Sequence, residues 1–450
     1  MFKRVLIANR GEIACRVIRT CKRMGIKTIA LYSQADVDAP HVWQAQEAYY
    51  LGGAPATASY LNINRIMDVA RKCNADAIHP GYGFLSESET FARKCAEEGI
   101  KWIGPKPEVI LTMRNKSAVR NLMKEADVPV VPGTMLESDD IDELKKQADT
   151  IGYPLLVKAS EGGGGIGITI AQTPQQLANS IETTMSRVKR SFGPMTKVYF
   201  ERYLLDAHHI ECQVLGDEHG SVIHLNEREC SIQRRYQKVV EETPSPFLDA
   251  DLRTRITDAA LKAARKVGYS NAGTVEFLVD GEKNFYFLEM NTRIQVEHGI
   301  TELTTGVDIV EQQLRVASGE KLSIKQSDVK VHGHALECRI YAEDPNTSMP
   351  SPGKITKYKE PSGEYIRVDG GVAEGQEITI YYDPLLAKVM TWGDNRNESI
   401  ERMRHALNDA VVEGPTTNLV LLKTIMDDPN FVAGKYDTRF LGELRSKITL

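Results

Sequence analysis

The first hundred residues alternate short apolar runs with amphipathic stretches of helical period. The pattern predicts strand, helix and strand twice over, at 5–8, 11–24 and 26–32 and again at 75–78, 86–98 and 100–104. Strands that alternate with helices indicate βαβ units, and therefore a parallel sheet with helices on both faces. The turn after the first strand, at 9–12, lacks the G-x-G-x-x-G pattern, which makes a dinucleotide site there improbable.

The pattern changes beyond this region. It predicts a helix at 108–126 that ends before Pro129, and then a small segment with strands at 155–158, 168–171 and 198–201. After residue 203, apolar and polar positions alternate in strands joined by short polar turns, which predicts antiparallel hairpins at 209–227 and 274–291. We therefore expect α/β and α+β structure in three domains, at 1–115, 116–203 and 204–450.

Composition and charge narrow the class of protein. The 450 residues are 42% hydrophobic and carry a net charge of −5, which is ordinary for a soluble globular protein and argues against a nucleic-acid binder. No apolar run approaches the ~20 residues of a membrane span, and the charged N-terminus does not resemble a signal peptide. The seven cysteines never form a C-x-x-C motif, so we expect reduced thiols in a cytoplasmic protein, with Cys230 an inert one.

A glycine-rich loop is the first chemical signal. Lys158 is followed by Gly162, Gly163, Gly164, Gly165 and Gly167. Successive glycines let backbone N–H groups approach an anion, and a nearby lysine adds a charge for phosphate. No Lys-Ser/Thr pair follows, so this is not a P-loop. A flexible surface hairpin explains the glycines equally well, but their place between two strands of a small domain favours a flap over phosphates.

An acidic hairpin is the stronger signal. If its second strand stays extended, five polar side chains share one face: Glu289, Asn291, Arg293, Gln295 and Glu297. A symmetric turn at 281–282 places Glu276 opposite Phe287 and diagonal to Glu289, ~7–8 Å away. Two carboxylates and an amide oxygen suit Mg²⁺. The alternative is a solvated strand face of salt-bridged residues, and a slip of one residue in register would move Glu276 to the other face.

Several motifs resemble those of biotin carboxylases over almost the whole chain. They are the segments at 7–14, 79–87, 158–167, 289–298, 337–339, 342–345 and 350–354. The resemblance implies an ATP-grasp fold with an N-terminal parallel αβ domain, a small mobile lid domain and a mixed antiparallel C-terminal domain. It also implies a ligase that uses ATP, Mg²⁺ (or Mn²⁺) and bicarbonate to form carboxyphosphate and then carboxylates biotin on a carrier protein.

The same resemblance assigns roles to residues. Those implied to bind ATP are Lys116, Lys158, Gly163, Gly164, Gly165, Gly167, Glu201, Leu204, His209, Gln233 and Glu276. Those implied to bind the metal ion are Glu276, Glu289 and Asn291. Bicarbonate would be held by Lys238, Arg293, Gln295 and the Val296 backbone. Glu297 would be the base that deprotonates bicarbonate, Arg339 would stabilise the biotin enolate, and Tyr82 would flank the biotin ring.

The resemblance also implies partners. The chain contains no Met-Lys-Met biotinylation motif, so we expect biotin to arrive on a separate biotin carboxyl carrier protein or carrier domain. A carboxyltransferase subunit would select the acceptor among acetyl-CoA, propionyl-CoA, pyruvate or another, and a free-standing homodimer is expected, without nucleic acid or membrane. The alternatives are another ATP-grasp ligase that forms a carboxylate or carbamate product, a non-catalytic ATP-binding module, and a fragment of a longer chain.

Three positions depart from the family pattern: Ile166, Tyr236 and Gly299. Ile166 stands where many members have Arg or Lys, so the glycine loop is expected to contact ATP through its backbone. Tyr236 replaces a histidine, which puts one nucleotide contact in question. Gly299 stands where proline is usual, which predicts a looser loop after His298.

Overall fold

A parallel sheet forms the N-terminal part of the protein. The computed structural model describes residues 1–133, 140–159, 168–192, 198–234 and 236–447. The first strands and helices are β1 (Arg4–Ile7), α1 (Gly11–Arg23), β2 (Lys27–Ser33), α2 (Pro40–Gln44), β3 (Glu47–Gly52), α3 (Ile63–Lys72), β4 (Ala77–His79), α4 (Glu89–Glu97) and β5 (Lys101–Trp102). The strands are ordered β3-β2-β1-β4-β5 and all pair in parallel, which confirms the predicted βαβ sheet.

Two loops at the carboxyl ends of neighbouring strands β1 and β4 are tied together. The Asn9 amide Nδ2 donates hydrogen bonds to the carbonyls of Pro80 at 2.8 Å and Tyr82 at 2.7 Å. Gly81 has φ +62°, and a Cβ there would lie 2.8 Å from Asn9 Nδ2, so this close approach requires glycine. The Asn9–Pro80 link thereby places Tyr82 next to the start of α1.

The helix predicted at 108–126 is two helices in the structure, α5 (Pro107–Arg114) and α6 (Lys116–Glu125). Asn115 breaks it because its backbone is extended, with φ −88° and ψ 96°, and its Oδ1 accepts a hydrogen bond from the Ala118 N–H at 2.9 Å. This side chain therefore caps a new helix. Lys116 becomes the first residue of α6, beside the free N–H groups of a helix N-terminus.

A small antiparallel sheet follows. Its elements are α7 (Ile141–Ile151), β6 (Leu155–Ala159), β7 (Ile168–Ala171), α8 (Pro174–Phe192) and β8 (Val198–Arg202), and its strand order is β7-β6-β8. The three strands match the predicted ones to within a residue. The glycine loop at 160–167 lies outside the described residues, so its predicted contacts have no structural counterpart here.

The remaining strands and helices build the body that carries the candidate site. They are β9 (His208–Gly216), β10 (Val222–Arg234), β11 (Gln237–Thr243), α9 (Ala250–Lys266), β12 (Asn271–Val279), β13 (Phe285–Asn291), α10 (His298–Thr305), α11 (Ile309–Ala317), β14 (His334–Tyr341), β15 (Gly353–Lys354), β16 (Lys357–Lys359), β17 (Ile366–Gly370), β18 (Glu377–Ile378), β19 (Leu385–Gly393), α12 (Arg396–Asp409), β20 (Val411–Glu413), α13 (Leu419–Asp427), α14 (Pro429–Val432) and α15 (Phe440–Lys447).

An eight-stranded antiparallel sheet runs through this body in the order β13-β12-β9-β10-β11-β14-β19-β17. Helix α9 packs on β9, β10 and β12, and helix α10 packs on β10, β11, β14 and β19. Every residue of β9 and β14 is therefore buried, polar ones included. A buried polar side chain needs a partner, so the polar residues of these strands must pair with one another or with a ligand. The parallel N-terminal sheet, the small antiparallel sheet and this larger antiparallel sheet are the predicted mixture of α/β and α+β structure. The division into domains at 115 and 203 stays a prediction.

Candidate functional site

The acidic hairpin places two carboxylates directly opposite each other. Glu276 on β12 pairs in register with Glu289 on β13, whereas Phe277 pairs with Phe287. The predicted diagonal arrangement is therefore wrong. Lys283 has a positive φ of 64° and makes the turn asymmetric, and a bulge between Glu276 and Phe277 adds a second shift. In the observed register, the two carboxylates lie closer together than in the predicted one.

The segment after the hairpin is not extended. Strand β13 ends at Asn291, residues 292–297 form bends and a turn, and α10 begins at His298. The expectation that residues 289–297 share one strand face is thus wrong. Its polar residues still converge because Arg293 holds the bend together: its Nη2 donates to Asn291 Oδ1 at 3.0 Å, and its Nη1 donates to Gln295 Oε1 at 2.8 Å.

Lys238 on β11 lies at the centre of the site. Its ammonium donates to three carboxylates, Glu211 at 2.5 Å, Glu276 at 2.9 Å and Glu297 at 2.7 Å. Burial alone would lower the pKa of Lys238, but Glu211, followed by Glu276 and Glu297, raises it well above its usual value. The lysine therefore stays charged, and one cation is shared by three anions.

Glu297 lies between two cations. One oxygen accepts from Lys238, and the other accepts from the Arg339 guanidinium at 2.9 Å. Burial works to raise the pKa of Glu297, but Lys238 and then Arg339 lower it well below its usual range. Arg339 also forms an ion pair with Glu241, whose pKa is raised to about 7 by burial and, among nearby charges, by Glu297. The predicted base and the predicted enolate-stabilising guanidinium are thus in direct contact.

Glu276 joins the hairpin to this centre. Its Oε1 accepts from Asn291 Nδ2 at 2.9 Å and Gln295 Nε2 at 3.1 Å, and its Oε2 lies 3.0 Å from His209 Nε2. Burial acts to raise the pKa of Glu276, but Lys238 and then His209 lower it strongly. Gln233 in turn contacts His209 Nδ1 at 2.7 Å. The two residues predicted on the ribose and phosphate side are therefore adjacent to the predicted metal ligand.

The two predicted phosphate-binding lysines, Lys116 on α6 and Lys158 on β6, lie near each other. Lys158 on β6 pairs with Glu201 on β8, and Arg120 reaches the other Glu201 oxygen at 3.3 Å. Lys116 is exposed to solvent, yet surrounding protein and then Lys158 lower its pKa, while Glu289 acts in the opposite direction. Leu204 follows β8 and is half-buried. The structure thus places Lys116 and Lys158 near Glu201 of the small sheet and Glu289 of the hairpin.

The donor set at the hairpin fits a magnesium ion. The pKa of Glu289 is raised, first by its surroundings and then by repulsion from Glu276, so a divalent cation between the two carboxylates would relieve that repulsion. Carboxylate oxygens are the ligands Mg²⁺ prefers. Asn291 Oδ1 accepts from Arg293, so it would have to leave Arg293 in order to act as a ligand.

Among the residues that the structure describes, two other groups bring possible ligand atoms within 4.8 Å of one another. They are His209 with Glu211 and Glu276, and Glu211 with Cys230 and Glu297. Neither fits a cation well. Glu211 is already paired with both Arg228 and Lys238, and burial, followed by Glu211, raises the pKa of Cys230 well above its usual value, so its thiol stays protonated. All seven cysteines are free and buried in the structure.

The biotin-side candidates are positioned from the N-terminal sheet. The Tyr82 hydroxyl donates to Glu12 in the first turn of α1. The Val296 carbonyl accepts from Lys388 Nζ at 2.5 Å, and the same ammonium lies 3.3 Å from Glu12. Tyr82 and the bend that carries Glu297 are therefore connected through buried polar groups.

Sequence reasoning missed several members of the site. The fully buried Arg228 donates to Glu211 at 2.5 Å and to Gln213 at 2.9 Å, and Glu87 accepts from Arg293 at 3.1 Å. A signal for Glu211 was present, since His209, Glu211 and Gln213 alternate with three apolar residues along β9. Arg228 has no comparable local pattern, and Glu87 lies in the motif at 79–87 but was given no role there.

Gly299 does not lie in a loop. It occupies the first turn of α10, where a Cβ would lie 2.3 Å from Met390 Sδ of β19. The expected looser loop is therefore wrong, because the Met390 side chain fills the space that a larger residue would need. Tyr236, in the turn between β10 and β11, is 66% exposed and has a positive φ of 69°.

Three family models match successive parts of the chain: the biotin carboxylase N-terminal domain at 1–110, the ATP-binding domain of carbamoyl-phosphate synthase L chain at 115–325, and the biotin carboxylase C-terminal domain at 337–443. Biotin carboxylase 2 of Bacillus subtilis is 51% identical over 441 residues, which cover 98% of this chain and 99% of that protein. The chain belongs to the biotin carboxylase family. A pyruvate carboxylase subunit from Methanothermobacter thermautotrophicus is also 51% identical, over 100% of this chain and 91% of that protein.

Solved structures of biotin carboxylases agree with this assignment. The biotin carboxylase domain dimer of Hydrogenobacter thermophilus 2-oxoglutarate carboxylase, in complex with MgADP, ADP and bicarbonate, has a TM-score of 0.95 and 49% identity, with 98% of each chain covered. A Campylobacter jejuni biotin carboxylase complex has a TM-score of 0.95 and 44% identity, over 98% of this chain and 99% of that one. In the described part of the chain, no helix is long and apolar enough to cross a bilayer.

Proposed function

We infer that this biotin carboxylase family member uses ATP and bicarbonate to carboxylate biotin. The observation that carries the inference is Glu297, a buried carboxylate with Lys238 on one oxygen and Arg339 on the other. A base flanked by two cations suits the deprotonation of a small anion, because the cations hold the anion and lower its proton affinity.

The nucleotide is proposed to lie between the small sheet and the hairpin. Lys116 and Lys158 face the phosphates there, while Glu201 and the backbone at Leu204 meet the adenine ring, with His209 and Gln233 along the ribose and phosphates. Glu276 and Glu289, with Asn291 as a third candidate, would hold Mg²⁺ or Mn²⁺, which neutralises phosphate charge during phosphoryl transfer when bound. The predicted contacts of Gly163, Gly164, Gly165 and Gly167 belong to the same proposal.

Bicarbonate is proposed to bind where Lys238, Arg293, Gln295 and the Val296 backbone meet. An arriving anion competes for Lys238 and Arg339, which weakens their hold on Glu297 and raises its proton affinity. Glu297 then takes the bicarbonate proton. The freed oxygen attacks the γ-phosphorus, the bond from that phosphorus to the β–γ bridging oxygen breaks, and ADP leaves as carboxyphosphate forms.

Biotin is proposed to react on the Tyr82 and Arg339 side of the same centre. Carboxyphosphate splits into CO₂ and phosphate, and the phosphate takes the ureido N–H proton. The resulting enolate is stabilised by Arg339, whose guanidinium stays charged at any working pH. The ureido nitrogen then attacks CO₂, and the new N–C bond completes carboxybiotin.

The proposed partners follow from this chemistry. Relatives of similar identity carry names with different acceptors, such as the pyruvate carboxylase subunit from M. thermautotrophicus and the propionyl-CoA carboxylase alpha chain of Ruegeria pomeroyi. We therefore propose that a separate carboxyltransferase selects the acceptor, and that biotin reaches this site on a carrier protein. A homodimer is proposed by analogy with the dimeric H. thermophilus domain.

The proposal is tested by ADP release with Mg-ATP, with and without bicarbonate and free biotin. We expect biotin to stimulate ADP release strongly, and the stimulation to disappear without bicarbonate. Because the natural substrate is carrier-bound, the assay is repeated with a biotinylated carrier domain. If neither form of biotin stimulates turnover, the chain is another ATP-grasp ligase.

A further inference from the structure

Lys388 is a fully buried lysine that the reaction described above does not use. It lies in the middle of β19, where it pairs in register with Arg339 on β14 and with Asp369 on β17. Its side chain has 0% exposure. A lysine is rarely buried in this way without a specific partner, since removing an ammonium from water costs several kcal/mol.

The contacts of Lys388 point towards the site. Its Nζ donates to the Val296 carbonyl at 2.5 Å and lies 3.3 Å from Glu12 Oε1, which accepts from the Tyr82 hydroxyl. The Val296 carbonyl belongs to the peptide group that joins Val296 to Glu297. Holding this carbonyl fixes the backbone immediately before the proposed base.

A purely structural role, neutralising Asp369, explains these contacts less well. Asp369 lies 4.0 Å from Lys388 but is bound by Arg367 at 2.6 Å and by Arg19 at 2.6 Å. Two closer guanidinium groups therefore already compensate its charge. The shorter contacts of Lys388 are those to the Val296 carbonyl and to Glu12.

We propose that Lys388 is a positioning residue that couples the biotin side of the site, through Glu12 and Tyr82, to the bend that carries Val296 and Glu297. The inference rests on the proposed function and adds to it. One ammonium orients the base for bicarbonate and, through Glu12, orients the tyrosine that flanks biotin. Lys388 touches no reacting atom itself, so its loss misplaces both groups without removing either.

Two variants separate the contact of Lys388 with the Val296 carbonyl from its contact with Glu12. Lys388→Met keeps an unbranched apolar side chain, one atom shorter than lysine, but removes every donor, so the contacts with the Val296 carbonyl and with Glu12 are both lost. Glu12→Gln keeps a hydrogen-bonding group beside Tyr82 and leaves the contact between Lys388 and the Val296 carbonyl in place. Arg253→Met is the control, because it breaks the ion pair of Arg253 with Glu227. The other groups to which Arg253 donates, the carbonyls of Ser245 and Leu248, lie outside the site.

The measurement is steady-state ADP release and carboxybiotin formation, with the thermal midpoint of each variant recorded in parallel. For Lys388→Met we expect KM for bicarbonate and KM for biotin to rise about ten- to a hundred-fold, as for the loss of a hydrogen bond from a charged donor. KM for ATP should stay within about two-fold, since Lys388 contacts none of the nucleotide candidates that the structure describes. For Glu12→Gln we expect the biotin KM alone to rise, with more ADP released per carboxybiotin formed.

The inference is overturned if Lys388→Met lowers the thermal midpoint while its KM values for bicarbonate and biotin stay at those of Arg253→Met. If Lys388→Met does not fold, Glu12→Gln provides the test. A rise in the biotin KM of Glu12→Gln alone would support the coupling, and equal changes in its KM values for bicarbonate, biotin and ATP would refute it. Absence of biotin-dependent turnover in the wild-type protein would instead contradict the proposed function. The wild type is therefore assayed before any variant.

Discussion

At the scale of single residues, the site is defined by a shortage of cations. Glu211, Glu276 and Glu297 all accept from the one ammonium of Lys238. Arg228 offsets Glu211 and Arg339 offsets Glu297, but Glu276 and the facing Glu289 keep an excess of negative charge. That excess suits a divalent cation beside the nucleotide phosphates, and the cations around Glu297 suit a bound anion.

The role of Glu297 is tested by Glu297→Gln, which keeps the shape of the side chain but cannot take a proton. We expect bicarbonate-dependent ADP release to fall by about 10²–10⁴-fold, the usual contribution of a general base. The affinity for Mg-ATP, measured by calorimetry, should change little. Glu218→Gln, which alters an exposed ion pair with Lys101, is the control. Normal turnover in Glu297→Gln would remove this residue from the role of base.

The metal site is tested by Glu276→Gln and Glu289→Gln in separate proteins. Each removes one of two facing carboxylates, so the magnesium concentration for half-maximal activity should rise by about ten- to a hundred-fold. Glu282→Gln, at the exposed tip of the same hairpin, should leave the titration unchanged. An unshifted magnesium titration in both site variants would count against the hairpin as the metal site.

At the scale of elements, the hairpin shows what local pattern can and cannot predict. The bounds of β13 are those that alternation predicts, and both carboxylates lie on the predicted face. The predicted register was wrong because the register depends on the left-handed backbone conformation of Lys283 and on a bulge. Neither feature can be predicted from the alternation of hydrophobic and polar residues. The bend at 292–297 was missed for a similar reason, since its shape comes from hydrogen bonds of Arg293 rather than from alternation.

The packing of α10 on β19 gives a prediction at the same scale. Gly299→Ala places a methyl group 2.3 Å from the buried Met390 Sδ, so the side chain or the helix must shift. We expect a loss of about 1–3 kcal/mol in the free energy of unfolding, measured by urea denaturation. Gly442→Ala, in α15, is the control because, apart from its own turn of helix, no atom of the described residues lies within 4 Å of its added Cβ. Equal stability of the two variants would show that Met390 moves freely.

At the scale of the whole molecule, a buried carboxylate ties the last helices to the central sheet. Glu242 on β11 contacts His334 on β14 at 2.6 Å, Arg396 on α12 at 2.6 Å and the Tyr436 hydroxyl. Burial acts to raise the pKa of Glu242, but His334 and then Arg396 lower it to about 2. Its charge therefore stabilises the fold above its ordinary pKa of 4.5, and this contribution is lost as the pH falls towards 2.

The pH dependence is checked by comparing Glu242→Gln with the wild type. The difference in unfolding free energy should be about 3–5 kcal/mol at neutral pH, because Arg396 is left beside an uncharged partner. It should shrink as the pH falls below 4.5. A difference that stays constant between pH 7 and pH 3, measured by urea denaturation, would contradict the assigned pKa.

Long-range contacts explain why only part of the site was predictable. Arg293 and Glu297 belong to the motif at 289–298, and Lys238 was assigned only through the resemblance to the family. The structure brings Lys238 and Glu297 into contact. Glu12 and Lys388 are 376 positions apart in the chain, yet their side chains lie 3.3 Å from each other. Such a pair depends on how the N-terminal sheet packs against β19, which no local pattern encodes.

Direct detection of the transferred carboxyl group tests the central claim. The protein is incubated with Mg-ATP, isotopically labelled bicarbonate and biotin, and labelled carboxybiotin is quantified in the wild type and in Glu297→Gln. We expect ATP-dependent labelling of biotin by the wild type and its near loss in the variant. ADP release by the wild type with no label on free or carrier-bound biotin would contradict it.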